Sequence, residues 1–257
     1  MGKVIAIANQ KGGVGKTTTS VNLSASIGVL ERKTLLIDMD PQGNSTSGFG
    51  INPYKVESSI YDCLIDQKPI RDVILPTEID YLKIAPSNID LTGAEIELVP
   101  QMARENRLKD AISPIKQDYE YIFIDCPPSL GLLTLNTLTA CDSVLIPIQC
   151  EYYALEGVTK LLNTIDLIKR NLNPNLHIEG VVLTMFDGRT TLAQQVKEEI
   201  IKHFKEKVYN TYIPRNVRLS EAPSYGKPVI LYDIRSTGAE AYINLAKEVV
   251  KNAQGIR

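Results

Sequence analysis

The sequence contains no tryptophan, four phenylalanines and two histidines in 257 residues. The histidines, His177 and His203, are too few and too dispersed to suggest general base work. Both are expected at the surface. Cysteine is also scarce: Cys63, Cys126, Cys141 and Cys150 include no CxxC pair. That excludes a disulfide framework and predicts reduced thiols in a core, with an iron–sulfur cluster shared between subunits as the alternative. No charge sign dominates, since 28 basic residues face 30 acidic ones. A chain that coats nucleic acid over its whole surface is thereby excluded, whereas a local basic patch is not. Long apolar runs are missing too. Residues 4–8 are too short for a secretory signal or a membrane span, and residues 247–257 lack the apolar face of an anchor helix. The sequence reads as a soluble, cytoplasmic protein with no membrane partner.

What is present is ordinary for a globular chain: 44% hydrophobic and 23% charged residues, enough to bury a core without staples. Short β-branched runs alternate with amphipathic segments of helical length, the signature of βαβ units. Strands are predicted over 4–8, 34–37, 81–85, 121–124, 143–148, 178–185 and 208–213. Several are apolar throughout, as strands covered on both faces must be. Helices are predicted over 16–30, 104–116, 131–140, 154–171, 191–205 and 238–252. The last carries Ala241, Leu245, Ala246 and Val249 on one stripe. Residues 43–76 are the least regular. With no repeat or linker, residues 1–257 form one domain with a doubly wound, mostly parallel sheet.

The segment Ala8-Asn-Gln-Lys-Gly-Gly-Val-Gly-Lys-Thr-Thr-Thr19 follows the first strand and opens the first helix. Its glycines let the backbone turn tightly and aim N–H groups at phosphate oxygens, and the helix dipole adds positive potential. This is a P-loop for ATP. Lys11, Gly12, Gly13, Val14, Gly15, Lys16, Thr17 and Thr18 are the nucleotide-binding residues. Lys16 reaches the β- and γ-phosphates, and the Thr17 hydroxyl binds Mg²⁺. The usual pattern has glycine where this chain has Gln10, and here a second lysine, Lys11, sits inside the loop.

With KGGVGKTT, the chain resembles the ParA/MinD family of deviant Walker A ATPases. The resemblance implies that Lys11 acts across a nucleotide-sandwich dimer on the partner subunit's phosphates, as an arginine finger does. After the second strand, Asp38-Met-Asp-Pro-Gln-Gly-Asn44 puts two carboxylates on one side of the sheet's carboxyl end, where ligands bind. The motif is similar to the family's first switch, which implies Asp40 as the residue positioning the lytic water and Asp38 in the magnesium shell. Tyr121-Ile-Phe-Ile-Asp125 reads as a Walker B strand whose Asp125 meets Mg²⁺ through water. Pro127 and Pro128 stiffen the switch that follows.

The resemblance to the chromosomal ParA (Soj) branch runs nearly end to end. It is most specific in 124–131, in 149–157 and in Ile213-Pro-Arg-Asn-Val-Arg-Leu-Ser-Glu-Ala-Pro223. The P-loop strand starts at residue 4, which fits the short type without a helix-turn-helix extension. The branch implies an ATP-dependent homodimer that binds double-stranded DNA without sequence preference through Arg189 and Arg218, four arginines per dimer. Lys197, Lys202 and Lys247 are candidates to extend the patch. It further implies Pro214 and Asn216 beside the adenine, a ParB-type centromere-binding partner that triggers hydrolysis, and association with the nucleoid. Competing classes are a MinD-like membrane oscillator, an electron carrier like the nitrogenase iron protein, and an ATP-dependent ligase or small-molecule kinase.

Overall fold

The computed structural model describes residues 2–151 and 154–253. In chain order its strands are β1 (Lys3–Ile7), β2 (Thr34–Asp38), β3 (Leu75–Pro76), β4 (Leu82–Ala85), β5 (Tyr121–Asp125), β6 (Ser143–Gln149) and β7 (His177–Thr184). They form one sheet in the order β3-β4-β2-β5-β1-β6-β7. Every pairing is parallel except that of β3 with β4.

Successive side chains on a strand point to opposite faces, and here both faces are dry. Val4 and Ala6 join one core with Leu35, Ile37, Ile122 and Ile124. Ile5 and Ile7 join the other with Leu36, Phe123 and Leu145. The first core is covered by α3 (Ile60–Ile65), α4 (Leu91–Glu97), α5 (Arg107–Ile112), α6 (Leu132–Ala140), α7 (Ala154–Asn171) and α8 (Thr191–Phe204), and the second mainly by α1 (Lys16–Val29) and α11 (Thr237–Ala253). Between β2 and β3 lies the short α2 (Asn44–Ser47), and before α11 come α9 (Val217–Glu221) and α10 (Val229–Tyr232). This is the expected α/β fold with helices on both faces. On α11 the stripe of Ala241, Leu245, Ala246 and Val249 is buried as its 3.6-residue spacing requires. So this helix is a structural element of the core.

Two predicted elements differ. The helix predicted over 104–116 is broken into a 3-10 turn (Arg104–Asn106), α5 and a second 3-10 turn (Ser113–Ile115). Pro114 carries no N–H and cannot continue an α-helical ladder. The strand predicted over 208–213 is not a strand. Its bridging is confined to isolated parallel bridges, Val181 of β7 with Val208 and, just past both segments, Phe186 with Pro214. The N–H groups of Tyr209 and Ile213 do donate to Val181 O (2.9 Å) and Leu183 O (2.8 Å). Those of Asn210 and Thr211 turn away to the Glu248 carboxylate on α11, at 2.9 and 2.8 Å. The Tyr209 ring lies over Gly180, where an added Cβ would come within 2.4 Å of it. The irregular segment still covers the outer edge of β7.

Candidate functional site

The loop between β1 and α1 is fixed by its neighbours. Asn9 Nδ2 donates to Pro147 O (2.7 Å), and Asn9 Oδ1 accepts from the Lys11 N–H (3.0 Å). Thr184 Oγ1, at the end of β7, donates to Val14 O (2.8 Å). Gly13 and Gly15 hold φ of 74° and 85°, the left-handed region that disfavours side chains. A Cβ built on Gly12 or Gly13 meets nothing within 4 Å, so the loop opens onto free space. Lys16 is buried and its ammonium donates back to Lys11 O (3.2 Å). Burial pulls its pKa below the ordinary lysine value, against the opposing pull of Asp125 and Asp40. Thr17 and Thr18 are half-buried on the first turn of α1.

Facing the loop, Asp38 and Asp125 are paired residues of the β2–β5 ladder, and both are fully buried. Asp125 accepts from Ser20 Oγ (2.8 Å) through one oxygen and from Ser45 Oγ (2.7 Å) through the other. Asp38 Oδ2 accepts from the Thr46 N–H (2.8 Å) and Oγ1 (2.7 Å), and its Oδ1 accepts from the Asp40 N–H (3.2 Å). Desolvation raises both carboxyl pKa values. For Asp38 the charge of Asp125 adds to the rise, whereas the Ser45, Ser20 and Thr17 hydroxyls offset it at Asp125. Asp40 is nearly buried; its Oδ1 accepts from the Gln42 N–H (3.0 Å) and its carbonyl from Ser87 Oγ (2.7 Å).

These donors suit a nucleotide and a hard cation. Oxygen ligands from carboxylates, hydroxyls and water are what Mg²⁺ takes. Two crowded carboxylates with raised pKa values are what a dication would relieve. Lys11 stands apart from this cradle. Its ammonium pairs with Glu151 at 3.2 Å on the surface instead of turning into its own loop.

The two arginines inferred for DNA lie beyond β7. Arg189 is fully in water and is gripped by Asp187 through two bonds, Nε–Oδ1 at 2.8 Å and Nη2–Oδ2 at 2.7 Å. Arg218, on α9, pairs with Glu221 (2.8 Å) and Asp233 (3.3 Å). The Phe186–Pro214 bridge brings their two loops together. Asn216 caps α9 by accepting from the Leu219 N–H (3.3 Å), and its Nδ2 donates to Thr237 Oγ1 (2.8 Å). Lys197 stacks over the Tyr212 ring, 4.7 Å from its centroid. All four cysteines are buried, and burial raises each thiol, Cys63 and Cys141 to about 12. Part of the 149–157 motif, Tyr152 and Tyr153, lies outside the described residues.

Sequence reasoning missed the residues that hold the site together. Ser45 and Thr46 sit in the segment expected to be least regular, yet both are fully buried on the two carboxylates. The signal was a run of small hydroxyl residues directly after Gly43, whose φ of 62° starts α2. Thr184 and Glu151 stand at the ends of outer strands and reach the loop only through the sheet order.

Comparison with known proteins follows this geometry. A family profile described as an AAA domain matches residues 2–178. The sporulation initiation inhibitor protein Soj of Bacillus subtilis is 62% identical over 252 residues, covering 98% of this chain and 100% of the relative. The chromosome partitioning protein ParA of Myxococcus xanthus is 58% identical, covering 98% and 89%. The chain belongs to the ParA/Soj family. Its P-loop NTPase fold extends beyond ParA/Soj proteins to a Mycobacterium smegmatis structure described as cobyrinic acid a,c-diamide synthase with bound ADP and magnesium. That chain superposes with a TM-score of 0.88 at 36% identity, over 100% of this chain and 97% of the other. Among the described residues no helix is long and apolar enough to cross a membrane.

Proposed function

We propose that this chain is a DNA-partitioning ATPase that works as one unit, binding Mg-ATP, dimerising, and holding nucleoid DNA until a ParB-type partner triggers hydrolysis. The observation that carries this reading is the open glycine cradle between Lys16 and the buried Asp38–Asp125 pair, with Lys11 turned out of it. The cradle supplies backbone N–H groups and the α1 dipole to the phosphates. Lys16 leaves the Lys11 carbonyl for the β- and γ-phosphates. Thr17, Asp38 and Asp125 hold Mg²⁺ directly or through water, and the ion neutralises charge on the phosphoryl oxygens. Asp40 orients the attacking water. Pro214 and Asn216 border the adenine.

Lys11 is already aimed at the surface, where a second subunit's nucleotide takes it from Glu151. Charge that develops on the transferring phosphoryl group is then met by a lysine that only the dimer provides. ATP thus selects the dimer by differential affinity. The 62% identity with Soj favours this over the synthase named for the 36% identical neighbour. A shared iron–sulfur cluster is disfavoured because the Walker B cysteine, Cys126, is 1% exposed. A MinD-like membrane anchor is disfavoured because α11 spends its apolar stripe on α1 and the sheet.

The test is retention on non-specific duplex DNA with ATP, with ADP and without nucleotide. ATP-only retention that weakens with salt is expected, and Arg189→Glu is expected to abolish it while the ATP-bound dimer still forms. Retention that ignores the nucleotide, or an Arg189→Glu chain held as firmly as the parent, would overturn the reading.

A further inference from the structure

Four exposed arginines crowd the loops beyond β7: Arg189, Arg215, Arg218 and Arg235. Three carboxylates are interleaved with them. Asp187 grips Arg189 with paired bonds and also feels the charge of Arg215. Asp233 binds Arg218 at 3.3 Å through Oδ2, and its Oδ1 accepts from the Arg235 N–H at 3.2 Å. Glu221 pairs with Arg218 as well, and it accepts from the Tyr232 hydroxyl (3.3 Å), which makes it a brace of α9. With Lys197 beside Phe186 and Tyr212 counted, the three carboxylates offset more than half of the positive charge on the rim of one subunit.

We propose that Asp187 and Asp233 are masks: they occupy hydrogen-bond donors of the DNA-contacting arginines and are displaced by phosphates when DNA binds. This rests on the DNA reading above. A bidentate carboxylate presents a guanidinium with the geometry that a phosphate presents. At Arg189 the exchange therefore replaces one fork of hydrogen bonds with another, whereas at Arg218 it replaces the single Asp233 contact; in both the carboxylate is left facing the duplex. Exposed pairs of this kind are weak, so the mask comes off readily. It still subtracts from the phosphates neutralised, and each phosphate counts in the logarithm of affinity.

The consequence is a threshold. One rim, with most of its positive charge offset, holds DNA poorly. Two rims fixed in one dimer bind together, with the second contact made at high effective concentration. The masks thereby make DNA retention depend on the nucleotide, because only ATP joins the two rims.

The experiment is a salt series of retention on non-specific duplex DNA by the full chain, with ATP and without. The variants are Asp187→Asn, Asp233→Asn and the double substitution. Asp80→Asn is the control, an equal charge change at the opposite end of the sheet. Each mask variant is expected to bind several-fold more tightly with ATP, with a salt slope steeper by about 0.9 for each phosphate gained. The double variant is expected to be retained without ATP as well.

Unchanged or weaker retention by the mask variants, with the parent chain retained, would overturn the proposal and leave the DNA reading standing. So would an equal gain in Asp80→Asn, which would reduce the effect to net charge. Parent and variants all unretained in every state would remove both readings. A thermal melt by circular dichroism accompanies each variant. If Asp187→Asn unfolds, Asp233→Asn on its separate loop carries the test; if both unfold, the carboxylates are structural and the proposal falls.

Discussion

At the carboxyl ends of β2 and β5, Asp38 and Asp125 are dry and held by serine and threonine hydroxyls, whereas at the rim Asp187 and Asp233 are partly exposed and hold arginines. The contrast follows from what each environment makes costly. A buried carboxylate without donors would forfeit its hydration, so the chain spends Ser20, Ser45 and Thr46 on satisfying it. Their geometry is set by the protein's own hydrogen bonds, which is what a site for charge transfer needs. Exposed carboxylates can exchange partners at little cost. The inner set is therefore suited to orienting a reaction and the outer set, on the function proposed above, to letting go of DNA.

The largest effect should come from Asp40→Ala, which tests whether the inner region acts on chemistry. Turnover should fall by about 10²-fold or more, the usual worth of a group handling the proton of an attacking water. ATP binding and ATP-dependent dimerisation should persist. Size-exclusion chromatography with ATP checks this, and a variant that stays monomeric would move Asp40 from the reaction to assembly.

Next is Thr46→Val, which asks whether the hydroxyl shell supports the fold. It removes one donor from Asp38 and the acceptor of the Ser87 N–H, which lies 2.9 Å from Thr46 Oγ1. Leaving such groups buried and unpaired costs about 1–3 kcal/mol. In a domain of this size, each kcal/mol corresponds to a fall of about 2–4 °C in melting temperature. An unchanged melting temperature would erase the distinction between the two regions. The smallest effect belongs to Glu151→Gln. Its pair with Lys11 is partly exposed on both sides, so its loss should shift the ATP-dependent dimer equilibrium by at most about fivefold. Sedimentation at several protein concentrations reads that shift, and a larger one would place Glu151 among the residues fixed in advance.

How much of this was legible in the sequence depends on how local the cause is. The P-loop is read directly because Gly13 and Gly15 are required by their own backbone angles. The cores are read from strands such as Val4-Ile-Ala-Ile7, apolar on both faces. The strand predicted over 208–213 misled because its cause is distant. Val208-Tyr-Asn-Thr-Tyr-Ile213 has strand composition, but Glu248 on α11 draws off two of its N–H groups. The hydroxyl shell was illegible for a related reason: nothing at Ser45 or Thr46 announces that Asp125 and Asp38 will lie beside them. The register of β2 against β5, set by the apolar pattern of both strands, is what brings them together.

The sheet's two borders have a consequence for assembly. One ends in β3, two residues long and antiparallel, with Pro76 offering no N–H to an incoming chain. The other is covered by residues 208–214, in which the amides of Tyr209 and Ile213 are taken by β7 and those of Asn210 and Thr211 by Glu248. Neither border is a template on which another copy could add a strand. Copies at high local concentration can thus meet only through loops and helices, and the sheet does not zip them into a fibre.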